Sequence, residues 1–194
     1  LTEGEAMVNM MNLMGFDIMV PGNHDFNYGY ERLLELRDMA DFPMVGANII
    51  KEADGTSDFK PYEIFEFDGV KVGVFGLGTE ETKTKSHPKN TKGIKFADEI
   101  ETSEKMVKEL KKEGADVIIA LVHLGVKGTS TTTSKQVAEK VQGIDLIVDG
   151  HSHEELNELV NGTLLVQAGS YNKNIGVVNL KVENGKVSEK KGSL

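Results

Sequence analysis

Four of the five histidines in this 194-residue chain follow apolar runs that read as buried strands. Phe16-Asp17-Ile18-Met19-Val20 leads into Gly22-Asn23-His24-Asp25. Val117 to Val122 leads into His123-Leu124-Gly125, and Ile144 to Val148 leads into Asp149-Gly150-His151-Ser152-His153. In open α/β sheets ligands bind outside the carboxyl ends of the strands, so three strand ends would bring imidazoles from distant parts of the chain to one crevice. Gly22 and Gly150 suit the tight turns needed there. Imidazole suits zinc, iron and manganese-class ions, and the chain has no cysteine to compete. His151 and His153 stand two apart, which on extended backbone puts both on one face. They could grip a single ion, or a pair of ions lying roughly 3.5–4 Å apart. The Asn23 amide oxygen is a neutral ligand, and the adjacent His24 would point elsewhere and could act on substrate.

Each element has a plainer reading when taken alone. A lone strand-end histidine is ordinarily a satisfied polar residue, an exposed His-x-His pair binds metal incidentally, and GNHD can be a turn with Asn in the left-handed region. Their joint occurrence, each after a strand, carries the metal reading. His87, in a Lys-rich loop before Pro88, reads as solvated. Asp149 reads as a turn residue or an outer partner of the ligands rather than a ligand.

The elements that must position these groups alternate between helix and strand. Ala6 to Met14 reads as a helix whose Met7, Met10, Met11 and Met14 pack into the core, stopped by Gly15. Phe16 to Val20 reads as a buried strand, Tyr28 to Ala40 as a helix, and Phe42 to Val45 as a short strand. Tyr62 to Leu77 reads as a hairpin turning at Asp68-Gly69. Ala97 to Glu113 is an amphipathic helix. Ala115 to Val122 is a continuous apolar strand of the kind covered on both faces. Ser134 to Gln142 is a helix; Ile144 to Val148, Leu164 to Gln167 and Ile175 to Val182 are strands, with a last turn at Asn184-Gly185. This alternation predicts a layered α/β fold with some antiparallel strands and no linker dividing it.

Composition narrows the partners. The chain carries 22 Lys+Arg against 31 Asp+Glu, a formal net charge of −9. That balance argues against a nucleic-acid polymer held through its phosphates. An anionic ligand must be held locally, by a metal ion or a helix N-terminus. The longest apolar stretches are too short to span a bilayer. The chain opens directly into helix-like sequence without Met and without a signal peptide, so its start reads as internal and the chain as a piece of a longer protein.

The order GNHD, VHLG, GHSH resembles that of the calcineurin-like metallophosphoesterases. More narrowly, the blocks GNHDFNYGYERLLEL, FPMVGANI, VGVFGLGTEET, VIIALVHLG and IDLIVDGHSH resemble the catalytic domain of bacterial 5′-nucleotidases and 2′,3′-cyclic-nucleotide 2′-phosphodiesterases, from about Glu5 to the end of the chain. The resemblance implies a metallophosphoesterase-type αββα sandwich. It implies two divalent metal ions (Zn, Mn, Fe, Co or Mg) bridged by an aspartate and a solvent hydroxide. Asn23, His123 and His151 match ligands of the second metal, and His153 matches a ligand of the first. His24 matches the catalytic histidine, which stabilises charge on the phosphoryl group and protonates the leaving oxygen. The nucleotidases often place an Asp where this chain has Asn27. An Asn can accept a hydrogen bond but cannot stabilise an imidazolium by charge, and the GNHxFNYG form is closer to the cyclic-phosphodiesterase branch.

Two features of the family are expected to be absent. No Asp-x-His or later Gly-Asp motif precedes GNHD, so the bridging aspartate and two ligands of the first metal are not in the chain. Neither is the C-terminal substrate domain. Residues 1–194 therefore read as a single partial catalytic domain with its N-terminal strands missing, binding at most one metal well and hydrolysing phosphoesters poorly by itself. The exposed sheet edge that results would invite self-association. The expected function is hydrolysis of small nucleotides or other phosphoesters by an extracellular, cell-surface or periplasmic parent. The alternatives are a 2′,3′-cyclic-nucleotide phosphodiesterase/3′-nucleotidase and a non-catalytic metal-binding module.

Overall fold

The apolar run ending at His123 becomes β5 (Val117–His123), near the middle of a six-stranded mixed sheet in a computed structural model that describes residues 2–127 and 132–194. The sheet order is β2 (Tyr62–Phe67), β3 (Val70–Gly78), β5, β6 (Leu146–Val148), β8 (Thr163–Ala168) and β7 (Glu155–Val160). Strands β3, β5, β6 and β8 run parallel, whereas β2 and β7 close the two edges antiparallel. The β2–β3 hairpin turns at Asp68-Gly69 as expected, with φ of 50° and 80°, the paired positive values that match a hairpin's twist.

Helices α4 (Glu99–Lys112) and α5 (Ser134–Lys140) follow β3 and β5, as crossovers between parallel strands require. Their apolar faces cover one side of the sheet, packing Met106, Val107, Leu110, Val137 and Ala138 on Phe75, Leu77, Ile118, Ala120 and Ile147. Each large apolar side chain buried here stabilises by roughly 1.5–3 kcal/mol. The other end of the molecule has its own core, between α1 (Glu5–Met14), α2 (Tyr30–Met39) and the two-stranded sheet of β1 (Ile49–Lys51) and β4 (Ile94–Phe96). Phe26 is fully buried there, stacked on Tyr30 and edge-on to Phe96. The hairpin of β9 (Val177–Glu183) and β10 (Lys186–Ser193) turns at Asn184-Gly185. It lies over a cavity of about 310 Å³ lined by Leu146, Val148, Leu156, Val166, Val178 and Leu194.

The expected strand at Phe16–Val20 is not formed. Met19 makes a single parallel bridge to Met44, and Phe16 stands 41% exposed. The segment from Phe42 to Val45 is likewise reduced to isolated bridges, from Met44 to Met19 and from Val45 to Lys60. Apolarity alone does not make a strand without a partner for its backbone, and the proline at position 43 brings no N–H to a ladder. The methionine stripe of α1 is also not core: Met7, Met10 and Met14 are exposed, and the buried seam runs through Val8 and half-buried Met11. That seam is fixed by Asn12, whose amide donates to the Met39 carbonyl and accepts from the Asp41 N–H, locking α1 to the end of α2. Helix α2 starts two residues later than expected, at Tyr30, because Gly29 has φ of 94°.

Candidate metal centre

The candidate site residues lie at the carboxyl end of β5, on the loop after β6 or on the turn that follows Met19. Asn23 opens a short 3-10 turn, Asn23–Phe26. The turn is held by Asp25, whose carboxylate accepts the Gly22 N–H at 2.7 Å, and by Phe26 plugged into the core behind it. Burial pushes the Asp25 carboxyl up from its ordinary value, and the Gly22 hydrogen bond offsets this only in part. Gly22 is required by its neighbour: a Cβ there would sit 2.8 Å from Cε1 of His123.

Three of the five candidates meet. The Oδ1 atom of Asn23 lies 2.9 Å from Nε2 of His123 and 3.1 Å from Nδ1 of His151. The two imidazole rings sit edge to face, with centroids 5.1 Å apart. Asn23 is 4% exposed. Burial, and then the neighbouring His151, His24 and His153, push the His123 pKa down to about 4, so this ring is neutral near pH 7. Among the described residues no three His, Cys, Asp or Glu side chains converge as a metal cage; two imidazoles and one carboxamide meet. The set fits a borderline divalent ion. The Asn23 oxygen lies within hydrogen-bond distance of both ring nitrogens, so the three donors share one small space.

His24 and His153 lie outside this cluster. His24 is exposed, its Nδ1 accepting from the Asn27 amide at 3.1 Å. Asn27 thus donates to the ring rather than accepting from it, and the neutral ring keeps its proton on Nε2. The expectation of extended backbone through His151 and His153 is corrected: their φ values are 75° and 59°. The Ser152 N–H donates to the Gly150 carbonyl, making His151 the centre of a γ-turn. That turn aims His151 inward and leaves His153 exposed beside the ring of Tyr171. Such left-handed conformations cost roughly 1–3 kcal/mol and persist only where surrounding bonds over-determine them.

The bonds that do so radiate from Asp149 and Gln167. One Asp149 oxygen accepts the N–H groups of Leu124, Gly125 and Gly150, and the other accepts the Ser134 hydroxyl at 2.6 Å and the Gln167 amide. Burial pushes the Asp149 carboxyl up despite these donors. Asp149 is therefore the clamp between the β5 and β6 loops, and its oxygens are spent on that task. Gln167, also buried, accepts from Ser152 and the Glu154 N–H.

Glu81, Gln167 and Asn48 escaped the sequence reading. Asn48 is fully buried and brackets Gly78 at the end of β3, donating to its carbonyl and accepting its N–H. Glu81 stands three residues beyond that end, with Oε2 2.9 Å from Nε2 of His151. The rule that located the histidines, attention to the carboxyl ends of apolar strands, also points to Glu80-Glu81 after Leu77-Gly78.

The profile of calcineurin-like phosphoesterases matches residues 4–155. The chain belongs to that family. The metallophosphoesterases act on phosphoesters and use divalent metals, and the mixed α/β fold is theirs. A 5′-nucleotidase of Vibrio cholerae is 33% identical over 215 residues, covering 97% of this chain and 39% of the enzyme. The Thermus thermophilus sulfate thiohydrolase SoxB superposes with a TM-score of 0.90 at 28% identity, covering 98% of this chain and 34% of that one. The calcineurin-like phosphoesterase YfkN of Bacillus subtilis superposes with a TM-score of 0.84 at 32% identity, covering 96% and 65%. The chain thus spans about two-fifths of the Vibrio nucleotidase. Among the described residues no helix is long and apolar enough to cross a membrane.

Proposed function

We propose that residues 1–194 form one metallophosphoesterase unit of a nucleotide hydrolase of the 5′-nucleotidase type, with Asn23, His123 and His151 holding a divalent ion. The observation that carries this reading is the Asn23 oxygen shared between the two imidazoles, with the family membership behind it. A divalent ion at such a site, when bound, lowers the pKa of coordinated water and polarises phosphoryl oxygens.

The chain's own residues do the rest. His123, neutral through burial, offers a lone pair instead of a competing proton. Asn23 contributes an oxygen without adding charge. Asp149 ties the loops of His123 and His151 together, so the donors stay in place before the ion arrives. His24, exposed with an N–H on Nε2, is a candidate to donate a hydrogen bond to a phosphoryl oxygen and so offset charge developing there. The family resemblance calls for two ions; the residues described here gather donors for a single ion, and His153 stands beside it.

A second reading, hydrolysis of 2′,3′-cyclic nucleotides, is favoured by Asn27. It donates to His24 where an acidic residue would raise the basicity of the ring. The test is phosphate release from 5′-AMP, and product formation from 2′,3′-cyclic AMP, by the protein with Mn²⁺, beside its His24→Ala variant. Weak, metal-dependent turnover of 5′-AMP that falls at least tenfold in the variant is expected. Turnover confined to the cyclic substrate selects the second reading, and a protein that binds metal yet turns over neither is a non-catalytic module.

A further inference from the structure

We infer that Glu81 is a positioning residue for His151, fixing which ring nitrogen carries the proton so that the other faces the ion site. The inference rests on the metal reading above and adds a residue to it. Glu81 lies on the loop after β3, at the same sheet edge that supplies His123 and His151; β3 and β5 run parallel with Gly78 opposite His123. Its Oε2 is 2.9 Å from His151 Nε2, and both side chains are only 15% exposed. A carboxylate can only accept, so Nε2 must carry the proton. The lone pair then stands on Nδ1, 3.1 Å from Asn23 Oδ1, which is itself an acceptor. Two acceptors face one another at hydrogen-bond distance, an arrangement that a cation between them relieves.

The loop is built to keep Glu81 there. Glu81 precedes α3 (Thr82–Lys85), which packs on the Asn23–Phe26 turn. Farther along the same segment, the Asn90 amide donates to the Asn27 carbonyl at 2.9 Å and to the Ser86 hydroxyl oxygen. One stretch of chain therefore braces both sides of the site: His151 through a carboxylate and the Asn23 turn through an amide. The γ-turn at His151 leaves ring orientation to such side-chain contacts. A carboxylate behind a ligating imidazole fixes its tautomer and raises its basicity, and loss of such a partner costs roughly 10–100-fold in metal affinity.

The test is ¹⁵N NMR of the histidine rings in metal-free protein at about pH 8, where an unperturbed imidazole is neutral, together with Mn²⁺ titration by calorimetry. Wild type should show His151 with a protonated Nε2 and a bare Nδ1. Glu81→Ala should lose that preference and bind Mn²⁺ roughly 10–100-fold more weakly. Glu81→Leu, which keeps bulk but removes the acceptor, should lose the preference and the affinity likewise and serves if the alanine variant does not fold. A wild-type His151 protonated on Nδ1, or a Glu81→Ala protein with unchanged tautomer and affinity, overturns the inference. A wild type that keeps the Glu81-dependent tautomer but binds no Mn²⁺ overturns the metal reading alone and supports Glu81 as the group that sets the ring.

Discussion

Asn23 Oδ1 and His123 Nε2 are 2.9 Å apart although 100 residues separate them in the chain. Only the whole fold can make that contact. Asn23 is held by a 3-10 turn anchored in the helical core, and His123 ends a strand at the heart of the sheet. Gly22 is where the two meet most closely, because the flat ring of His123 lies against its backbone.

Gly22→Ala should therefore damage the site through sterics alone. Gly22 has φ of −90° and ψ of 173°, which alanine adopts freely. The new methyl would lie 2.8–3.0 Å from three atoms of the His123 ring, so the ring must move. Mn²⁺ affinity should fall about tenfold or more. Stability should fall by about 1–3 kcal/mol, as for other overpacked sites. Calorimetric titration and thermal melting measure the two effects separately.

His153→Gly should separate family resemblance from local geometry. His153 is exposed at φ of 59°, where a side chain is strained and glycine is not. The variant should gain roughly 0.5–1 kcal/mol in stability. It should also retain the ion held by Asn23, His123 and His151. Denaturant melts and metal analysis of the variant check both halves.

Glu99 sets a pH dependence away from the site. It is buried at the start of α4, and Oε1 has no hydrogen-bond partner among the described residues. Burial, with Asp98 and Glu80 adding to it, raises its pKa above the ordinary value near 4.5, against the pull of its own N–H and Thr132. The folded state therefore holds the proton more tightly than the unfolded state, and stability falls as pH rises through that raised pKa. Glu99→Gln should be more stable than wild type at neutral pH, by about 1 kcal/mol. The gap should close as pH drops toward 4.5. Melting curves across pH 4–8 decide the sign.

The parts of the fold written in apolar runs were legible. Val117–Val122, Gly73–Leu77 and Leu146–Val148 lie largely buried in the sheet, and the ends of the first and last located imidazoles. The edge strand β7 and the strand β10 were not. Strand β7 reads ELNELV and β10 reads KVSEKKGS, polar on exposed faces, and they are strands only because β8 and β9 offer unpaired backbone. The reverse error at Phe16–Val20 has the same cause: apolar side chains with a backbone bridged at Met19 alone. In the site, residue types announced Asn23, His123 and His151. The separation of His153 from them turned on backbone angles, which no spacing rule contains.

The central claim is that these three side chains hold one divalent ion, and Mn²⁺ titration of the metal-free chain by calorimetry, beside His123→Ala and His151→Ala, tests it most directly. Saturable binding of a single ion per chain, abolished or weakened at least tenfold in each variant while both remain folded, is the predicted result. Absence of saturable binding to wild type, or stoichiometry and affinity untouched by both substitutions, would contradict it.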